Sequence, residues 1–378
     1  MRIRHRQFGG LFALVFILAA CGTSSGSSDA PGTESSAPSA SEGGGADGGE
    51  ALTIDIGTPS DTLSSSFYAF VVARDLGYWE EENLTVNIVP GSGSGSLVEQ
   101  IVAGNLPTGA PSTPAVVEAL GSGLELVNWY HYQTGSIFGI WVPEDSDIQS
   151  VEDLAGKTIG ISEPGGGELA VLNAALEDAG IDPVTGVSTI PVGTGEPVTV
   201  EAIESGQVDA YSSSKNDSFS LISQGVALRD ITPPLYEDFP GRAMITTQES
   251  LDEHREEFIR FARGIAKATL FCDTNPDACE QLMRDAQPEQ WLAEGASGTS
   301  QGELQLAEAY RTTRVAGDGE LFGAHNADAW QNLQDTIAAT LEDFQTWDVG
   351  AFLNDDLLDE VNDFDRDAVI EQAENYEG

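Results

Sequence analysis

The chain has 378 residues, with 16 basic against 62 acidic side chains and a formal net charge of −46. A field of that sign and size excludes nucleic acid and anionic lipid headgroups as partners. Only Lys157, Lys215 and Lys267 are lysines, a balance that suits high salt, where self-repulsion is screened, and equally a generally acidic secreted proteome.

The N-terminus, MRIRHRQFGGLFALVFILAACGTSS, begins with a basic stretch carrying Arg2, Arg4 and Arg6. An apolar run follows over residues 11–20, about half the length a membrane-spanning helix needs. Its end, Leu18-Ala19-Ala20-Cys21, resembles the lipobox of bacterial lipoproteins, which implies a signal peptide over 1–20 and acylation of Cys21. Ordinary secretory cleavage near Ala20 is the plainer alternative. Removing residues 1–20 takes away three arginines and no acids, so the charge becomes 13 − 62 = −49. Residues 21–50 are Gly, Ser, Ala and acids with nothing large to bury, which predicts a flexible tether. In an exported chain the remaining cysteine pair, Cys272 and Cys279, reads as a local disulfide. A metal site there would need further His or Cys nearby.

After the tether roughly 330 residues remain, enough for two lobes. Alternation predicts a strand at 52–57, and an apolar stripe predicts a helix over 65–79. A second strand (84–90) ends at Pro90, and a helix (94–105) starts at a serine. A short helix follows from Ser112, then the strand LELVNWY (124–130). Residues 136–142 read as a strand leaving the first lobe, and 157–162 as a new strand. A helix with a glycine-rich start covers 165–181. VSTIPV (187–192), a helix near 196–205 and the strand QVDAYSS (207–213) continue the pattern. GRAMITT (241–247) is apolar enough to cross back, and beyond Gln248 the chain is nearly all helical. Phe258, Phe261, Ile265 and Leu270 recur at helical spacing as a core stripe. Strand–helix alternation with short Gly/Pro punctuation predicts an α/β fold with mainly parallel strands.

Four segments carry a family resemblance: ARDLGYWEEENLTVNIVPGSGSGSLVEQIVAGN (73–105), DLAGKTIGISEPGGGELAVLNAALEDAGI (153–181), IPVGTGEPVTVEAIESGQVDAY (190–211) and LNDDLLDEVNDFDRDAVIEQAENY (353–376). In this order they resemble the nitrate/sulfonate/taurine and thiamine-pyrimidine-precursor binding proteins. The chain departs from that pattern at LPTGAPS (106–112), which lacks the family's acid. The resemblance implies a type II periplasmic-binding-protein fold: two α/β lobes, one of 51–142 and 243–378 and one of 143–242, joined by crossing hinge strands and followed by a helical C-terminal region. It also implies a lipid-anchored solute-binding protein at the extracytoplasmic face of the cell membrane, acting for an ABC permease as a monomer. No cofactor and no metal is implied. A sensor domain is the second reading. An enzyme on the same fold is the third, set against it the lack of a cysteine-rich motif or any Ser/His/Asp grouping.

The candidate contacts follow from that placement. PGSGSGS contributes Ser92, Gly93 and Ser94, and EPGGGELA contributes Gly165, Gly166 and Gly167. Both open helices whose free N–H groups can face a ligand, and both could equally be plain tight turns. Ser65, Ser66 and Phe67 lie in the expected first contact loop, with core packing the plainer alternative for Phe67. Ser112 and Thr113 precede a helix and could donate hydroxyl bonds. Tyr130 in WYHY could stack on a planar ligand or pack at the hinge. His131 in the same motif has no other histidine near it in the sequence and is not expected to hold a metal. Asp217 could accept from an amino group or form a solvated cap with Lys215. Paired helix starts favour an anion. Yet none of these loops carries an arginine, the usual fork for sulfonate or carboxylate, so the reading leans to a small planar nitrogen heterocycle such as a pyrimidine precursor.

Overall fold

The computed structural model describes residues 50–60, 63–164, 166–195, 197–291, 299–313, 321–341 and 343–378. The expected signal peptide, Cys21 and almost all of the expected tether lie outside these residues, as does Gly165.

Among the described residues ten strands form two five-stranded sheets. The first contains β1 (Leu52–Thr58), β2 (Leu84–Pro90), β3 (Thr108–Gly109), β4 (Val127–Gln133) and β10 (Arg242–Thr246), in the order β2-β1-β3-β10-β4. The second contains β5 (Phe138–Pro143), β6 (Thr158–Ile161), β7 (Ser188–Pro191), β8 (Ala210–Ser214) and β9 (Leu228–Asp230), in the order β7-β6-β8-β5-β9. Within each sheet the strands joined by helical crossovers are parallel, β1 with β2 and β3, and β6 with β7 and β8. The strands that change sheets run antiparallel to their neighbours. This is the result expected when one chain must leave a parallel sheet, build a second and return.

Two predicted boundaries shift, and one segment without a predicted element forms a strand. The strand expected at 124–130 forms at Val127–Gln133, because Leu124 is exposed while the residues through Gln133 pair with β10. β5, assigned to the first lobe by the sequence, pairs with β8 and β9 in the second sheet. LPTGAPS supplies the two-residue β3, paired with both β1 and β10.

The first lobe is closed by an aromatic core under the helix Arg255–Thr274. Trp129 stacks on Phe258 with ring centres 4.5 Å apart, and Trp79 stacks on Phe261 at 5.3 Å. Both indoles keep a partner: Trp129 Nε1 donates to Thr108 Oγ1 and Trp79 Nε1 to the Phe261 carbonyl, as buried Trp requires. In the predicted stripe Phe258, Phe261 and Ile265 are buried, whereas Leu270 is only partly so and Phe271 fills the core beside it. Cys272 and Cys279 are bonded to each other, joining that helix to Pro276–Ala286. Among the described residues no helix is long and apolar enough to cross a membrane.

Candidate functional site

A cavity of about 770 Å³ lies between the lobes. Its walls are the loops where strands end and helices begin. β1 leads to Pro59 and Ser60, and β2 to Ser92, Gly93 and the helix Ser94–Val102. β3 leads to Ser112 and the helix Thr113–Gly121. From the second lobe, β6 leads to Ser162, Glu163 and the helix Glu168–Asp178, and β8 to Ser214 and the helix Lys215–Ser223. Carboxyl ends of parallel strands therefore face one crevice from both sides, where α/β sheets bind small ligands. Four helix starts turn the positive end of their dipoles towards it, although the Thr113 and Lys215 N–H groups are taken by the Gly241 and Ile137 carbonyls and the Asp217 N–H by Ser214 Oγ.

The lobes meet over this crevice. Asn216 Nδ2, from the second lobe, donates to Ser66 Oγ at 3.1 Å and Ser64 Oγ at 3.3 Å in the first. Gly167 approaches so closely that a Cβ there would sit 2.9 Å from Phe138 Cζ and 3.1 Å from Ser112 Oγ. Glycine at this helix start serves close lobe approach and not backbone freedom, since its φ is an ordinary −63°.

The cation absent from the loops comes from a strand. Arg242 opens β10, is 8% exposed and lines the cavity. Its guanidinium stands 5.0 Å above the Phe67 ring. Nη1 reaches the Ala110 carbonyl only at 3.5 Å, and Nε has no partner among the described residues. No carboxylate of the described residues pairs with it in a salt bridge. Burial pushes its pKa down to about 10, opposed by Tyr132 and Asp217, so it stays charged at neutral pH. A buried charge with incomplete hydrogen bonding is costly, and an anion in the cavity would complete it. The cavity also holds Glu168, 3% exposed, whose Oε1 accepts the Ser162 N–H at 2.9 Å. Burial raises its pKa, with the backbone N–H groups pulling the other way.

Of the residues singled out in the sequence, Ser92, Gly93, Ser94, Ser112, Gly166, Gly167 and Asp217 line the cavity. The others point elsewhere. Ser65 is fully buried, its N–H held by Gln305 Oε1 and its hydroxyl by Gln290 Oε1. The Ser66 hydroxyl accepts from Asn216. Phe67 is a core ring that reaches the site only through Arg242. The Thr113 hydroxyl donates to the Pro240 carbonyl. Tyr130 is buried beside Trp129 and against Gly323, away from the cavity. His131, which has no histidine near it in sequence, faces His325 with ring centres 6.1 Å apart. Among the described residues no group of three or more His, Cys, Asp or Glu is placed to hold a metal.

Arg242, Glu168, Asn216 and Phe138 are the site residues that sequence reasoning missed. One signal was present for Arg242, a lone cation opening the otherwise apolar segment GRAMITT. Asn216 and Phe138 carry no comparable signal, because lobe closure alone brings them to the cavity.

Comparison with solved structures finds the same fold repeatedly. A protein from Bordetella bronchiseptica RB50 matches 83% of this chain and 97% of its own at 20% identity, with a TM-score of 0.64. The alkanesulfonate-binding protein SsuA from Xanthomonas axonopodis pv. citri, bound to MOPS, matches 82% of this chain and all of its own at 14% identity, with a TM-score of 0.59. The periplasmic nitrate-binding protein NrtA from Synechocystis PCC 6803 matches 82% of this chain and 88% of its own at 14% identity, with a TM-score of 0.56. Comparison with curated protein sequences gives no match. The two-lobed architecture is thus that of the periplasmic binding proteins. The model of the family described as NMT1/THI5 like matches residues 64–279, more than half of the chain, and the chain belongs to that family.

Proposed function

We propose that this protein is the extracytoplasmic solute-binding component of an ABC importer and that it captures a small anion between its lobes. The observation that carries the anion is Arg242, buried in the cavity with neither a salt-bridging carboxylate among the described residues nor a partner for Nε. The helix starts at Ser94, Ser112 and Gly167 supply further N–H donors of the kind that hold sulfonates and carboxylates. Capture on lobe closure is the motion of two-lobed binding proteins. Acylated Cys21 and the tether keep the lobes at the outer face of the membrane, where a permease is docked. The similar structures include an alkanesulfonate-binding and a nitrate-binding protein, which agrees with this reading.

A planar nitrogen heterocycle is the second reading, favoured by the Phe138 ring in the cavity wall. A thermal-shift screen separates the two, because ligand binding to the native state raises the melting temperature. The screen holds sulfonates, nitrate, carboxylates, pyrimidines, amines and flavins. Stabilisation by sulfonates, nitrate or carboxylates is the expected result. Stabilisation by pyrimidines or flavins alone would overturn the anion reading.

A further inference from the structure

Lys215 is one of three lysines in the chain and is 4% exposed, at the first position of the helix Lys215–Ser223 in the second lobe. Its Nζ donates to Glu237 Oε2 at 2.7 Å and to Glu308 Oε1 at 3.0 Å. Arg311 Nη2 donates to the same two oxygens, at 3.0 Å and 2.7 Å. Two cations and two carboxylates thus alternate around a closed ring. Its members come from three places: the second-lobe helix, the return crossing between β9 and β10 (Glu237), and the helix Gln301–Thr313, which packs on the first lobe. The outward crossing passes through the same spot. Thr134 N–H donates to the Thr312 carbonyl, Ser136 N–H to the Glu237 carbonyl, and Lys215 N–H to the Ile137 carbonyl.

Both helices that carry the ring continue into the cavity. Asn216 and Asp217, next to Lys215, line it, and Asn216 also makes the bridge to Ser64 and Ser66. Gln301 and Gln305 line it from the face of the other helix that carries Glu308, at the i, i+4, i+7 spacing that shares one side. The ring, with Lys215 enclosed and Arg311 at the surface, is therefore one residue from the cavity lining on one helix and one turn from it on the other.

We propose that this ring is a hinge clasp. Lys215 is a positioning residue that holds the start of its helix against the first lobe, so that Asn216 can close the crevice over whatever occupies it. A plain surface salt bridge would not do this, since exposed pairs hold little. Lys215 is enclosed, and removing it leaves Glu237 and Glu308 to share Arg311 alone. The consequence for solute retention rests on the binding reading above, but the clasp itself is testable with no solute present.

The test is hydrogen exchange of the full-length protein, read by mass spectrometry on wild type, Lys215→Met, Lys215→Arg and Glu308→Gln. With Lys215→Met, peptides covering residues 64–67, 112–116 and 214–218 should exchange about tenfold faster, as local opening of the crevice requires. Peptides covering β1 and β6 should keep their rates, and Lys215→Arg should stay near wild type. The first two peptides do not touch Lys215, so their response reports lobe opening. Unchanged rates at 64–67 and 112–116 would overturn the clasp, as would a uniform rise across all peptides. If Lys215→Met does not fold, Glu308→Gln is read in its place against the same outcomes.

Discussion

Replacing Arg242 with methionine should separate ligand binding from stability, because the two depend on this residue in opposite directions. Among the described residues Arg242 has one long hydrogen bond, to the Ala110 carbonyl at 3.5 Å, and its contact with the Phe67 ring at 5.0 Å. That ring contact is worth about 0.5–2 kcal/mol. Against it stands the cost of a buried charge, and replacing buried ions by apolar side chains is often neutral or stabilising by about 1–4 kcal/mol. Arg242→Met should therefore melt at the wild-type temperature or above it. With an anion bound, the guanidinium can supply two charge-assisted hydrogen bonds of about 1.5–3 kcal/mol each. Losing about 3–6 kcal/mol weakens affinity roughly 100- to 20,000-fold. Thermal melts with and without a stabilising anion from the screen, followed by titration calorimetry, read both quantities. A variant that melts several degrees lower yet still responds to the anion would refute the reasoning, since Arg242 would then be a structural residue.

Two further outcomes follow from the same geometry. Gly167→Ala places a methyl group against Phe138 and Ser112 at the meeting of the lobes, and overpacking of this kind costs about 1–3 kcal/mol. Affinity should fall about 5- to 150-fold while the melting temperature of the unliganded protein holds, because an open crevice has room for the methyl; equal affinity by calorimetry would show that the lobes do not close this tightly. His131, buried and facing His325, has its pKa pushed down to about 3 by burial first and by His325 second. Its folded pKa lies below the unfolded value near 6.5, so the unfolded chain binds the extra proton as pH falls. Its stabilising contribution is complete above about pH 6.5 and is lost towards pH 3, up to roughly 5 kcal/mol. Urea unfolding of wild type and His131→Phe across that range should give curves that diverge on acidification, and parallel curves would remove His131 from the account.

Much of this molecule is legible locally. Strand and helix periodicity, the glycine and serine helix starts and the apolar stripe of Phe258, Phe261 and Ile265 are short-range patterns, and each names an element before any contact is known. The same reasoning places Ser92, Ser94, Ser112 and Gly167 at helix starts after strands, where they line the cavity. It failed where a residue's role depends on distant partners. Ser65 and Thr113 look like exposed hydroxyls in their loops, but Gln290, Gln305 and the Pro240 carbonyl, more than a hundred residues away, take up their polar groups. Tyr130 looks available for stacking, but the β4 register turns it into the core.

The amino-acid sequence by itself determined an acidic α/β chain of two lobes, because composition and periodicity act over a few residues. It also marked the glycine-rich helix starts as the anion-friendly part of the surface. Only the tertiary structure decided which charge meets them. Arg242 is distant in sequence from every one of the loops it faces, and crossing back between the sheets carries it under the cavity. The hinge ring has the same origin: Glu308 and Arg311 are an i, i+3 pair on one helix, but Lys215 and Glu237 come to them from distant segments. A charge's partner is set by where the chain returns, and that is a property of the whole fold.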